Sequence, residues 1–223
     1  MRRIAVALET SARAASVAVR SGERSLELAL ELGRAHASDL LPAVDRMVRD
    51  LDGSPREIAL VLVGTGPGSY TGLRVGIATA LGLVRGCGAV IRGVPSGETL
   101  CFGELEPGEQ ASVLLDARAG EVYFAHYRRL AGDVEVLSEP CVLRPEEVPG
   151  ILPRAGPIFA DSGAVTALGL SEEARERVRL DVAPRASALL ALGIARVERS
   201  GGQDPREVKP LYLRAFAVKA RKR

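Results

Sequence analysis

The sequence predicts an α/β protein made of two related halves. Three observations support this. Strand-like and helical segments over residues 3–94 follow the order β-β-β-α-β-α-β, a strand closed by an acid recurs after Pro107-Gly108, and one long helix is apolar on every side. This segment order is that of a ribonuclease-H-like half, whose sheet begins antiparallel and ends parallel. We therefore expect a duplicated ribonuclease-H-like fold with subdomains at 1–106 and 107–223.

The first half alternates apolar runs with polar turns. Three strand-like runs predict an antiparallel meander: 3–8, 16–19 and 25–32. An amphipathic helix follows, because apolar residues recur there at helical spacing: Leu40, Leu41, Val44, Met47, Val48 and Leu51. Two more strands are predicted at 58–63 and 90–94, with a helix over 72–85 between them.

The second half repeats the opening pattern in a degraded form. The acidic residue Asp116 directly follows the predicted strand 112–115, as Glu9 directly follows the predicted strand 4–8. Further strands and helices are predicted at 121–127, 134–137, 145–152, 158–160, 165–178 and 187–199. The two acids at the strand ends suggest a cleft between the halves.

A glycine-rich turn precedes the second helix. Gly64, Gly66 and Gly68 surround Pro67, which predicts a tight connection between strand and helix, with Ser69 or Thr71 as the helix cap. The turn lacks the Gly-Lys-Ser/Thr of a P-loop and the GxGxxG spacing of dinucleotide sites. A helix N-terminus can still hold an anion, so phosphate binding and a purely structural turn both stay open.

The second helix has no charge between Val75 and Val84, and small residues recur on it every fourth position at Gly72, Gly76 and Ala80. A helix that is apolar all round is buried on both sides. One side can belong to the domain's own core. We therefore predict that the small-residue stripe receives another helix, from this chain or from another one.

Composition limits the class of protein. Of the 223 residues 47% are hydrophobic, and no apolar run is long enough to span a membrane. Three widely spaced cysteines favour a reducing cytoplasm over disulfides or a zinc site. The net charge is +2, but residues 206–223 hold seven basic residues and one acid, so this basic tail is a candidate RNA contact.

Catalytic groups are sparse in the sequence. Glu9 and Asp116 are candidates to face each other across the cleft and hold magnesium, but a second Gly-Gly turn for adenosine is missing. The two histidines, His36 and His126, form no HxxxH or HExxH pair, and no GxSxG nucleophile elbow is present. We therefore predict neither a metal site nor a catalytic set.

Five segments resemble the TsaB (YeaZ) family: ALETS at 7–11 followed by ASVAV at 15–19, GTGPGSYTGLRVGIATALGL at 64–83, DARAGEVYFAHY at 116–127 and PLYLR at 210–214. The resemblance implies an actin-like ATPase superfamily fold. It also implies the role of a non-catalytic partner of TsaD, which, with the ATPase TsaE, places threonylcarbamoyl on the adenosine beside the anticodon of tRNAs reading ANN codons.

One comparison separates the two paralogues. TsaD carries a metal-binding HxxxH after the strand that follows the glycine-turn helix, whereas this chain has Pro95, Ser96 and Gly97 there. These side chains cannot bind a metal as histidine does. The resemblance also implies that no cofactor is bound by this chain alone, with ATP and metal on the partner subunits. Gly97 departs from the leucine usual in TsaB, which leaves the start of the next helix open.

The family further implies that two helices pair with their counterparts in TsaD, or in a second copy of the chain, as a four-helix arrangement. The interface residues expected here are Leu40, Leu41, Val44, Met47, Gly72, Leu73, Val75, Gly76, Thr79 and Ala80, and the vestigial nucleotide cleft comprises Glu9, Thr10, Ser11 and Asp116. A small actin-like ATPase or kinase and a glycoprotease-type peptidase stay as alternatives.

Overall fold

The described residues form two five-stranded mixed sheets with the same strand order. The computed structural model describes residues 3–30 and 36–213. The first sheet contains β1 (Ile4–Glu9), β2 (Ala15–Ser21), β3 (Arg24–Leu30), β4 (Ile58–Gly64) and β5 (Val90–Val94). The second contains β6 (Gln110–Arg118), β7 (Glu121–Arg129), β8 (Val134–Leu143), β9 (Ile158–Ala160) and β10 (Val178–Leu180).

The strand pairing repeats between the sheets. Their orders are β3-β2-β1-β4-β5 and β8-β7-β6-β9-β10. In each, the first three strands pair antiparallel and the last two are added in parallel. This identity confirms the predicted duplicated ribonuclease-H-like fold. The predicted meander run 25–32 extends past β3, and its last two residues lie outside the described part.

Helices cover both sheets. The first half contributes α1 (His36–Asp50), α2 (Tyr70–Cys87) and α3 (Ser96–Glu104). The second contributes α4 (Val148–Ile151), α5 (Ser162–Ala167), α6 (Glu172–Glu176) and α7 (Ala186–Ser200). Helix α3 begins at Ser96 although Gly97 follows. Close packing favours glycine at position 97, because a Cβ there would lie 2.7 Å from the hydroxyl oxygen of buried Tyr127.

Successive side chains of β1 point to opposite faces of the first sheet, so the strand contributes to two separate cores. Ile4, Val6 and Leu8 pack under α1 and α2, whereas Ala5 and Ala7 face a second core shared by both sheets, α3 and α7. A third core lies between the second sheet and helices α4 to α6. The small alanines let α7 approach the first sheet closely.

The last described segment returns to the first half. Helix α7 packs against β1, β2, β4 and β5, and Gln203 then forms an antiparallel bridge with Ile91 of β5. Val208 is buried in the core under α1 and α2. Helix α7 and residues 201–213 thus contact the first half although they follow the expected boundary at 106/107, and that boundary stays a prediction. We call this segment, 201–213, the C-terminal strap.

No described helix is both long enough and apolar enough to cross a membrane.

Candidate functional site

The glycine turn packs tightly against the residues that follow β1. A Cβ at Gly68 would collide with the Ser11 carbonyl oxygen, and Gly66 has a φ of +96°, which side-chain-bearing residues rarely adopt. The Ser69 amide donates to the Ser11 carbonyl at 2.7 Å. Ser69 Oγ accepts from the Gly72 amide at 3.2 Å and caps α2, as predicted. The glycines here are required by close packing.

Glu9 lies at the carboxyl end of β1 with no exposed surface. Its Oε1 accepts from the Ser11 amide at 2.8 Å, and its Oε2 accepts from Ser96 Oγ at 3.0 Å. The same Ser96 oxygen accepts from the Gly66 amide at 3.1 Å. A Cβ at Gly64 would collide with the Glu9 carboxylate. Glu9 therefore ties β1, the glycine turn and α3 together.

Thr10 and Ser11 complete this buried group. Both are nearly inaccessible to solvent, and Thr10 Oγ1 donates to the Gly72 carbonyl at 2.8 Å. The structure therefore brings three of the four predicted cleft residues, Glu9, Thr10 and Ser11, into one hydrogen-bonded cluster against the start of α2.

Asp116 has the equivalent place in the second half but different neighbours. Its amide donates to Asp161 Oδ2 at 3.0 Å, and its own Oδ1 accepts from the Arg118 amide at 2.7 Å. Gly163 lies close to its side chain. Each acid has its hydrogen bonds in its own half, so the described contacts do not join Asp116 to Glu9 as the sequence suggested.

Burial raises the pKa of Glu9, although hydrogen bonds from Ser11 and Ser96 oppose this. The native state therefore holds the Glu9 proton more tightly than the unfolded chain. The stability gained in this way is fully present below the unfolded pKa and is lost as the pH rises through the folded pKa. We expect Glu9→Gln to remove this loss, so that thermal melts between about pH 4 and pH 8 show a smaller decline in Tm than in the parent.

The control for this experiment is Glu109→Gln, because Glu109 is an exposed carboxyl before β6. That substitution is expected to leave the pH dependence of Tm unchanged. An equal decline in the parent and in Glu9→Gln would contradict the assignment.

Many of the predicted interface residues are buried in the chain's own core. Leu40, Val44, Met47, Leu73 and Ala80 are each less than 5% exposed. A Cβ at Gly72 or Gly76 would collide with Thr10. Within the monomer these seven positions are covered by the chain's own core, and the small-residue stripe accommodates the end of β1, so their role in partner binding stays a prediction.

A different side of the same helices faces outward. Leu41 is 49% exposed, Val75 and Thr79 are half-buried, and Ala78 and Gly82 are exposed. A Cβ at Gly82 would have open space around it. We call Leu41, Val75, Ala78, Thr79 and Gly82 the outward face. It keeps three of the predicted residues and adds Ala78 and Gly82, whose spacing of four was visible in the sequence as a second stripe.

The groups that a peptidase would use have structural partners. Ser69 caps α2. His126 is buried in β7, where Ser112 Oγ and the side-chain amide of Gln110 each lie 3.1 Å from a ring nitrogen. Burial lowers the pKa of His126. The side chain of His36 lies outside the described part. Among the described residues, no cluster of histidine, cysteine and carboxylate side chains is suited to a metal ion.

Comparison with known proteins agrees with this architecture. A family model described as "tRNA N6-adenosine threonylcarbamoyltransferase" (TsaD) matches residues 30–177, more than half of the chain. The chain belongs to this family. Within it, the relatives place it in the TsaB (YeaZ) branch. The YeaZ structure from Pseudomonas aeruginosa is 27% identical, with a TM-score of 0.81 over 95% of this chain and 100% of that one.

Three bacterial relatives named "tRNA threonylcarbamoyladenosine biosynthesis protein TsaB" align with the chain. The Escherichia coli protein is 35% identical over 64% of this chain and 63% of its own length, and the Bacillus subtilis protein is 35% identical over 47% and 45%. The chain thus covers less than two thirds of either. The Haemophilus influenzae protein is 28% identical over 94% of this chain and 92% of its own length.

Proposed function

We propose that this chain is a non-catalytic subunit that binds TsaD and, with TsaE, supports threonylcarbamoylation of the adenosine beside the anticodon of tRNAs reading ANN codons. ATP and a metal are expected on the partner subunits, and the isolated chain is expected to pair with itself. Membership of the TsaB branch and the names of its relatives support the pathway. The geometry at the end of β5 supports a non-catalytic role in that pathway.

The observation that carries the non-catalytic role is the use of Ser96. TsaD has a metal-binding HxxxH in the corresponding segment, whereas here Pro95 precedes α3 and Ser96 bonds Glu9 and Gly66. Polar atoms at this edge of the first sheet are thus committed to holding the fold together. A site that performs chemistry needs groups directed at a substrate.

The outward face supports a role in partner binding. It combines apolar Leu41 and Val75 with small Ala78 and Gly82, so that a second helix can approach the backbone of α2 closely. Burying apolar surface contributes about 25 cal/mol per Å2. We expect a helix pair of TsaD, or of a second copy, to cover this face.

We expect Gly82→Arg to abolish co-purification with TsaD while the monomer stays folded. The Cβ has open space in the monomer, and arginine favours helix more than glycine does, but in the complex the guanidinium would be buried without a partner. The expected loss of affinity for TsaD is at least tenfold, and a tenfold loss corresponds to about 1.4 kcal/mol. Pull-down and size-exclusion chromatography measure it.

The matched control is Gly150→Arg, because Gly150 is also an exposed helical glycine with open space at its Cβ, but lies on α4. This variant is expected to bind TsaD normally. Normal binding by Gly82→Arg would overturn the assignment of the outward face.

Activity assays test the non-catalytic role. The purified chain alone is expected neither to hydrolyse ATP nor to modify tRNA, and to stimulate modification when TsaD and TsaE are present. ATP turnover by the chain alone would favour the ATPase alternative, and peptide hydrolysis lost on Ser69→Ala would favour the peptidase.

A further inference from the structure

Two tyrosines and an arginine form a cluster at the start of α2. The guanidinium carbon of Arg74 lies 4.0 Å from the ring centroid of Tyr70, and its Nε donates to the Tyr212 hydroxyl at 3.0 Å. The two tyrosine ring centroids are 5.5 Å apart with an interplanar angle of 32°. Tyr70 is 41% exposed and Tyr212 is 38% exposed. We call these three residues the Tyr–Arg cluster.

The C-terminal strap holds Tyr212 in this place. The Gln203 amide donates to the Ile91 carbonyl at 2.8 Å, Val208 is buried, and the Leu211 amide donates to the Thr65 carbonyl at 2.8 Å. The strap is therefore fixed along its length to β5 and to the glycine turn. Its last turn brings Tyr212, distant in sequence, against α2.

The partners of Arg74 are tyrosines. Arg24, Arg49 and Arg128, by contrast, form ion pairs with carboxylates. Among the residues that the structure describes, no carboxylate pairs with Arg74, and its contacts are aromatic. The Tyr70 ring and the Tyr212 hydroxyl thus hold the Arg74 guanidinium in place, and no described acid neutralises its charge.

Positive charge continues along the chain from this point. Residues 213–223 contain five basic residues and no acid: Arg214, Lys219, Arg221, Lys222 and Arg223. They begin two positions after Tyr212. Partly exposed aromatic rings beside an arginine without an acidic partner are a combination with which proteins bind single-stranded RNA, because bases stack on the rings and phosphates pair with the cation.

We infer that the Tyr–Arg cluster is an RNA contact that takes unpaired nucleotides of tRNA, with bases against Tyr70 and Tyr212 and phosphate at Arg74. This inference rests on the proposed function, since it makes the subunit a contributor to tRNA binding as well as a support for TsaD.

Binding of an unmodified transcript of a tRNA that reads an ANN codon tests the inference. Fluorescence anisotropy with the full chain is expected to give an affinity that weakens with salt, and the double variant Arg74→Ala/Tyr212→Ala is expected to bind about tenfold or more weakly. Stacking is expected to quench tyrosine emission, which is readable because the chain has four tyrosines and no tryptophan. Tyr212→Phe keeps the ring and is expected to retain most of the affinity.

The matched control is Arg179→Ala, since Arg179 is also an exposed arginine near an aromatic ring, 5.9 Å from the centroid of Phe159. It is expected to change affinity less than twofold. Parent-like tRNA binding by the double variant, no tRNA binding by the parent chain, or a loss in Tyr212→Phe as large as in the double variant would each overturn the inference.

Co-purification with TsaD, measured in parallel, separates this inference from the proposed function. Retained TsaD binding with lost tRNA binding in the double variant supports the RNA contact. Lost TsaD binding with retained tRNA binding would show that the cluster contacts protein, and would overturn the RNA contact alone. If the parent chain itself fails to bind TsaD, the proposed function fails whatever the tRNA result.

Discussion

Gly76→Leu is expected to destabilise the folded monomer by about 3 kcal/mol, at the upper end of the usual cost of overpacking. Gly76 is buried on α2, and a Cβ there would collide with Thr10 Oγ1. Thr10 cannot easily move away, because its hydroxyl bonds the Gly72 carbonyl and its neighbour Glu9 is anchored to Ser96. The strain therefore has to be absorbed by shifting α2 away from β1.

Urea unfolding followed by circular dichroism measures this effect, and Gly82→Leu is the control on the same helix. Gly82 is exposed with open space at its Cβ, so leucine there is expected to leave stability unchanged or raise it by up to about 1 kcal/mol through helix propensity. Equal urea midpoints for Gly76→Leu and the parent would show that the stripe does not lie against Thr10.

Arg196→Met is expected to cost about 3–5 kcal/mol, the range for removing one partner of a buried ion pair. Arg196 on α7 contacts Glu98 on α3, and its Nε donates to Asp133 Oδ1 at 2.8 Å. The side chains of Arg196 and Glu98 are 14% and 11% exposed. Burial raises the pKa of Glu98, and the nearby Arg196 guanidinium opposes this rise. The variant removes that guanidinium and leaves the buried Glu98 carboxyl group without its cationic partner.

Two further variants check the physical reason. Arg196→Met combined with Glu98→Leu is expected to recover part of the stability, because no unpaired carboxylate then remains on α3. Arg206→Met removes an exposed arginine paired with Asp204 and is expected to cause no measurable change. A similar loss in Arg196→Met and Arg206→Met would contradict the buried character of the first pair.

The order of most elements was predictable from sequence because it depends on local signals. The exception is the predicted segment 165–178, where the structure has the end of α5, then α6 and the start of β10. Alternating apolar residues marked the strands, the spacing from Leu40 to Leu51 marked α1, and the glycine turn marked the start of α2 at Ser69. The acid closing each first strand, Glu9 and Asp116, was visible for the same reason. These patterns repeat in both halves, and so the duplication was detectable.

Which side of helix α2 is buried in the monomer was not predictable from the sequence. Helix α2 carries two small-residue stripes, one through Gly76 and one through Gly82, and periodicity alone does not distinguish them. Thr10, which lies 62 positions before the residue whose carbonyl it bonds, decides which stripe is buried. The sequence prediction chose the stripe through Gly72, Gly76 and Ala80, which is the one that the chain itself covers.

The C-terminal strap and the Tyr–Arg cluster were equally hidden. The strap has no helical or alternating pattern and is held to the first half by scattered hydrogen bonds of Gly201, Gln203 and Leu211. Arg74 and Tyr212 are 138 positions apart. The sequence by itself determined the strands, helices and turns, because these follow from neighbouring residues. Only the tertiary structure decided which surfaces stay exposed, because exposure depends on segments that meet only when the chain folds.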